Sequence, residues 1–133
     1  ILSDPAESKT NRQELESDVP AMIAALDAKQ RQSLGQALVV AADRLYADAS
    51  LPIGDRLDAT MAEVQLASHE GKIPPAVLAK VQERARWADA NAKDKMTRQG
   101  VIDDAAYLLW DAGDHAGAKK LELAELKKSD QPY

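Results

Sequence analysis

Apolar residues along this chain recur at alternating steps of three and four, the spacing that lines one side of an α-helix. Leu34, Leu38, Ala41, Leu45 and Ala49 make one such stripe. Asp27, with Gln30 three residues on, opens it as a capping box, so a helix is predicted over about residues 28–49. "SLPIGDR" then interrupts the pattern: Pro52 and Gly54 disfavour continuation, and Asp55 is expected to cap the next helix. Leu57, Met61 and Val64 form the stripe of that helix, which should end near Gly71 in a left-handed stop.

In "KIPPAV" two prolines fall before or within a first turn, where a missing N–H costs little. Leu78, Val81, Ala85, Ala88, Ala92 and Met96 then predict a long helix that leaves at Gly100 and forms the spine of the fold. "VIDDAAYLLWDA" is apolar on most faces apart from Asp103, Asp104 and Asp111, so a short buried helix is expected there, with Trp110 in the core. After Gly113, "HAGAKKLELAELKK" makes a last helix whose lysines suit the negative end of a helix dipole. With a short helix over about Pro20 to Leu26, capped by Asp18, the prediction is an irregular all-α bundle of five to six helices. One domain over residues 18–128 follows a polar, aperiodic tail over 1–17, and residues 129–133 should fray.

Composition sharpens this picture. The apolar mass is mostly Ala and Leu, with no Phe, two Trp and three Tyr, and small side chains favour close helix packing over sheet formation. A net charge of −5 makes the long-range field repel phosphate backbones, so no nucleic-acid partner is expected. No window reaches the apolar length of a membrane-spanning helix. The absence of cysteine removes disulfides, thiolate metal sites and cysteine nucleophiles together. Because the chain starts at Ile1 without an initiator Met, something upstream is expected to have been removed, either an export signal or lipid-anchored start, or part of a trimmed cytoplasmic protein.

Three stretches resemble known families. From about Asp104 to Lys127 the chain resembles a single tetratricopeptide-type hairpin, in which a Gly-Asp turn is followed by a small residue five positions after the Gly; Gly113, Asp114 and Ala118 hold those places. "ELESDVPAMIAALDAKQRQSLGQALVV" is similar to the start of small exported bacterial helical lipoproteins of uncharacterised function, with Met22, Leu26, Arg31, Ala37 and Leu38 at the matching positions. "LDAKQ" within it also approaches the L-T-x-x-Q box of periplasmic stress chaperones, with Asp27 in place of Thr. "LVVAADRLYAD", "LPIGDR" and "KIPPAVLAKV" resemble exported all-helical chorismate mutases, which implies an enzyme with Arg44, Asp55 and Arg56 near a pocket. Those enzymes hold a substrate carboxylate with a lysine between the two elements. None lies between Arg44 and Pro52, so a major electrostatic contact to a dianionic transition state is missing.

Candidate chemistry is sparse. His69 and Glu63 are six residues apart and lean to different faces, so one helix cannot make a chelate of them, and His69 is expected to face the helix dipole. His115 stands four residues after Asp111, suggesting a carboxylate–imidazole pair that stabilises the turn. Lys80, Arg84, Arg86, Lys93, Lys95 and Arg98 interleave with Glu83, Asp89 and Asp94, as intrahelical pairing would require. Trp87 lies off the main stripe and either packs on a neighbouring helix or marks a contact site. No catalytic, cofactor-binding or metal-ligating residue is assigned. The expected function is a small non-enzymatic interaction protein, periplasmic or exported, with the cytoplasm as the alternative compartment. Its N-terminal tail would serve as a membrane tether. It should bind a protein or peptide in a groove bounded by the "KIPPAV" helix and the C-terminal hairpin, using Trp87, Arg84, Arg86 and Tyr107. The alternatives are the chorismate-mutase-like enzyme and an immunity or inhibitor protein that binds a toxin.

Overall fold

Local capping chemistry sets where the first helix begins. In the computed structural model, which describes residues 25–129, α1 runs over Ala28–Ala47. Asp27 Oδ1 accepts the Gln30 N–H at 2.8 Å and Gln30 Oε1 accepts the Asp27 N–H at 3.0 Å, satisfying donors that a helix start leaves open. The helix stops at Ala47, slightly early, because the Asp48 carboxylate accepts from the Ser50 N–H and hydroxyl at 3.0 and 2.6 Å, a turn that competes with helical bonding. α2 spans Ile53–His69 with Pro52 as N-cap. Asp55, expected as the cap, sits inside the first turn instead, where its charge still meets the positive end of the dipole. As expected, Gly71 follows with a positive φ of 95°.

The next helix departs from its sequence pattern. α3 runs over Pro75–Asn91 and does not continue to Met96. The reason lies in two side chains. Asp94 accepts the Met96 N–H at 3.1 Å and the Thr97 hydroxyl at 3.2 Å, folding the chain into a tight turn that leaves Met96 93% exposed. Arg98 then donates to the carbonyls of Asp89 and Ala92 at 2.9 and 2.7 Å, capping the orphan acceptors at the end of α3. α4 therefore starts at Arg98 and runs to Asp111, so Gly100 is a helical residue and not an exit. α5 covers His115–Ser129.

The fold is all-α, with five helices and no strand among the described residues. α4 is its centre: it packs on α2, α3 and α5 and buries Val101, Ile102, Ala105, Ala106, Leu108 and Leu109. The spine is thus this helix rather than the "KIPPAV" helix. Ala85, Ala88, Ala105, Ala112 and Ala118 fill the contacts around it, and their small volume lets helix axes approach closely. α1 leans on α2 and buries only Ala42. Trp110, expected in the core, is 44% exposed; it lies one residue, about 100° around α4, beyond buried Leu109. Among the described residues no helix is long and apolar enough to cross a membrane. The expected tail over 1–17, most of the short helix over 20–26 and residues 130–133 lie outside the described residues.

Candidate interaction groove

Helical spacing builds a groove between α3 and the α4–α5 hairpin. Gln82, Ala85, Arg86 and Asp89 on α3 stand at i, i+3, i+4 and i+7, and Gly117, Lys120, Leu121 and Ala124 repeat that interval on α5. With Leu109 of α4 beneath, the two rows enclose about 340 Å³ with an apolar floor and polar walls. The hairpin turn closes one end. Gly113 takes a φ of +97°, which costs Gly little. That lets the Asp114 N–H reach back to the Leu109 carbonyl at 2.9 Å and the Gly113 N–H to that of Trp110 at 3.0 Å, a Schellman-type stop. Asp114 then caps α5, its Oδ1 accepting the Gly117 N–H at 2.8 Å, while Oδ2 accepts from Gln82 Nε2 at 3.0 Å. These bonds, that from Gln82 foremost, hold the Asp114 carboxyl below its ordinary pKa.

Arg98 fastens the opposite end. Its guanidinium grips Glu125 through Nε and Nη2 at 2.9 and 2.8 Å and Asp89 Oδ1 through Nη2 at 2.7 Å, joining the starts and ends of three helices. The hydrogen bonds to Glu125 raise the guanidinium pKa above its ordinary value, and those from Arg98 lower that of Glu125. On the outer face of the hairpin, Glu122 is shifted upward by burial and by its contact with Asp103.

A second polar cluster holds α1, α2 and α3 together and leaves little free. Arg84, 6% exposed, donates to Thr60 Oγ1 at 2.5 Å and to Asp43 at 2.6 Å and lies 4.3 Å from the Tyr46 ring. Lys80 bridges Asp43 at 3.3 Å and nearly buried Glu63 at 3.1 Å. Arg84 chiefly holds the Asp43 carboxyl below its usual pKa. Arg56 donates to the Tyr46 carbonyl at 2.7 Å and covers the Trp87 ring at 4.2 Å, and Trp87 meets Tyr46 edge-on at 5.1 Å. No protein family, curated protein or solved structure matches the chain. What the groove can do therefore rests on its geometry alone.

The four residues singled out for partner binding do not converge. Arg86 lines the groove. Arg84 is committed inside the second cluster, and Trp87 packs against α1 and α2 residues. Tyr107, 58% exposed, edges depressions on the α2 and α5 sides of α4. The expected intrahelical pairing is replaced by bonds across helices for Lys80, Arg84 and Arg98. His115 stacks on Trp110 at 4.0 Å and 19° rather than pairing with Asp111. Burial raises the Asp111 pKa. Of the enzyme candidates, Arg56 is engaged as above, Arg44 is exposed and Asp55 lies in the first turn of α2. Among the described residues no three His, Asp or Glu side chains gather as a metal site needs. Sequence reasoning missed Lys120 and Leu121 as groove residues, although their spacing from Gly117 and Ala124 signalled a shared face. Nothing local pointed to Glu125 as the partner of Arg98.

Proposed function

We propose that this chain is a small non-enzymatic interaction protein that takes a protein or peptide segment into the groove between α3 and the α4–α5 hairpin. One observation carries the reading: an open groove that presents apolar Leu121 and Ala124 over buried Ala85 and Leu109, rimmed by Arg86, Asp89 and Lys120. That is the composition of a recognition surface, with apolar contact for affinity and a polar rim for orientation. The non-enzymatic part is supported by Arg84 and Arg56, whose guanidinium groups are occupied by Thr60, Asp43, the Tyr46 carbonyl and aromatic rings and so are not aimed at a ligand. The turn chemistry of Gly113, Asp114 and Ala118 supports the likeness of the hairpin to a single tetratricopeptide-type unit. An exported location is part of the same proposal.

A photo-crosslinking side chain placed at exposed Ala124, with position 39 on α1 as reference, tests the site. In extract of the source organism, position 124 should give a discrete adduct that position 39 does not. Equal labelling at both, or none at 124, refutes the groove as the binding surface.

A further inference from the structure

Charges in the groove are unequally engaged. Asp89 accepts from Arg98 at 2.7 Å, and Asp114 accepts from Gln82 and from the Gly117 N–H at 3.0 and 2.8 Å. Arg86 and Lys120 are both exposed and stand on opposite walls, one on α3 and one on α5. Among the described residues neither makes an ion pair, hydrogen bond or ring contact. Two uncommitted cations thus flank an apolar floor in a chain whose net charge is −5. Among the described residues Arg31, Arg56, Arg84 and Arg98 are engaged by carboxylates, carbonyls or rings, while Arg44, also exposed, lies on α1 and does not line the groove.

We infer that the partner segment is acidic: a short peptide stretch that seats an apolar side chain on Leu121 and Ala124 and places carboxylates against Arg86 and Lys120. This rests on the proposed function above and adds the chemistry of the ligand. The groove spans eight residues of each wall helix, seven steps or about 10 Å at 1.5 Å per residue. That length matches about three residues of extended peptide, each advancing roughly 3.3 Å. Such a segment can present one apolar residue between two acidic ones. Arg86 suits a carboxylate because its planar fork offers paired N–H groups, while Lys120 supplies a compact charge on a flexible stem. A basic or neutral segment would leave both cations unanswered and would find the groove's acids, Asp89 and Asp114, already accepting from Arg98, Gln82 and the Gly117 N–H.

The test is selection of a displayed library of random twelve-residue peptides on the full chain, repeated on an Arg86→Glu/Lys120→Glu variant and on Ala124→Trp, whose indole would fill the floor. Arg86, Lys120 and Ala124 are exposed, and circular dichroism melts check that each variant folds. Peptides recovered on the wild type should be enriched in Asp and Glu beside an apolar residue. Their affinity should fall about tenfold on the double charge reversal, the size that two exposed charge contacts supply, and their affinity for the wild type should fall as salt is raised. The double variant should itself select Lys- and Arg-rich peptides. Recovered peptides that lack acidic bias yet lose binding to Ala124→Trp would overturn the acidic preference and keep the groove. Peptides that bind Ala124→Trp as well as wild type, or no enrichment on any variant, would overturn both.

Discussion

Replacing Arg98 by Ala should unfasten the hairpin from α3, and the size of the loss can be worked from the contacts. The guanidinium is 18% exposed and Glu125 13%, so their pairing is shielded more than a surface ion pair but is not fully buried. Removing it strands the Glu125 carboxylate and the carbonyls of Asp89 and Ala92, which Arg98 meets at 2.9 and 2.7 Å. A hydrogen bond to a charged group contributes roughly 1.5–3 kcal/mol, and breaking a buried pair costs roughly 3–5 kcal/mol. Partial exposure lowers the latter, which gives about 3 kcal/mol for Arg98→Ala. At about 4 °C per kcal/mol for a chain of this size, Tm should fall by about 12 °C. Thermal and urea unfolding followed at 222 nm measure it. Arg98→Lys should recover less than half, because one ammonium cannot span acceptors on Asp89, Ala92 and Glu125. The pH profile gives a second reading. Arg98 lowers the Glu125 pKa in the folded state, so this stabilisation is present above the ordinary carboxylate pKa of about 4.3 and is lost as pH falls through the lower folded value. The variant should show a flatter profile in that acid range. A Tm within about 3 °C of wild type, or an unchanged acid slope, would refute the assignment of Arg98 as the clasp.

Other outcomes rest on the same contacts. Gly113→Ala forces a side chain into a φ of +97° and should cost about 1–2 kcal/mol in urea unfolding. Arg84→Met strips the bonds to Thr60 and Asp43 and should cost about 2–3 kcal/mol, whereas Arg86→Ala should change stability by less than about 0.5 kcal/mol; equal effects would show that the two arginines have been misplaced. Glu122 has a raised pKa from burial and its contact with Asp103, so its ionised form is disfavoured in the folded state and stability falls as pH rises from the unfolded carboxylate value through the raised folded one. Glu122→Gln should therefore be slightly stabilising at pH 7, by less than about 1 kcal/mol, with the difference vanishing in acid; calorimetry at pH 3 and pH 7 checks the sign.

Much of the local architecture was legible in the chain, because helix caps and turns act over three to six residues. The Asp27–Gln30 box, the stop at Gly71, the prolines opening α3 and the Gly113–Asp114 hairpin turn all depend on neighbours close in sequence. The all-α class followed from the periodicity and the Ala-rich, Phe-free composition. Where the apolar stripe overran the end of α3, side-chain bonds had overridden it. The apolar stripe ran on to Met96, but Asp94 and Arg98 turned the chain and capped α3 first. Which cations are free and which are committed was settled only by tertiary packing. Arg84 and Arg86 are two residues apart on one helix, yet one meets Asp43 from 41 residues away and the other opens onto the groove. Helical phase alone separates them by about 200°, but which side faces another helix depends on where the rest of the chain folds back, and that information is spread over the whole sequence.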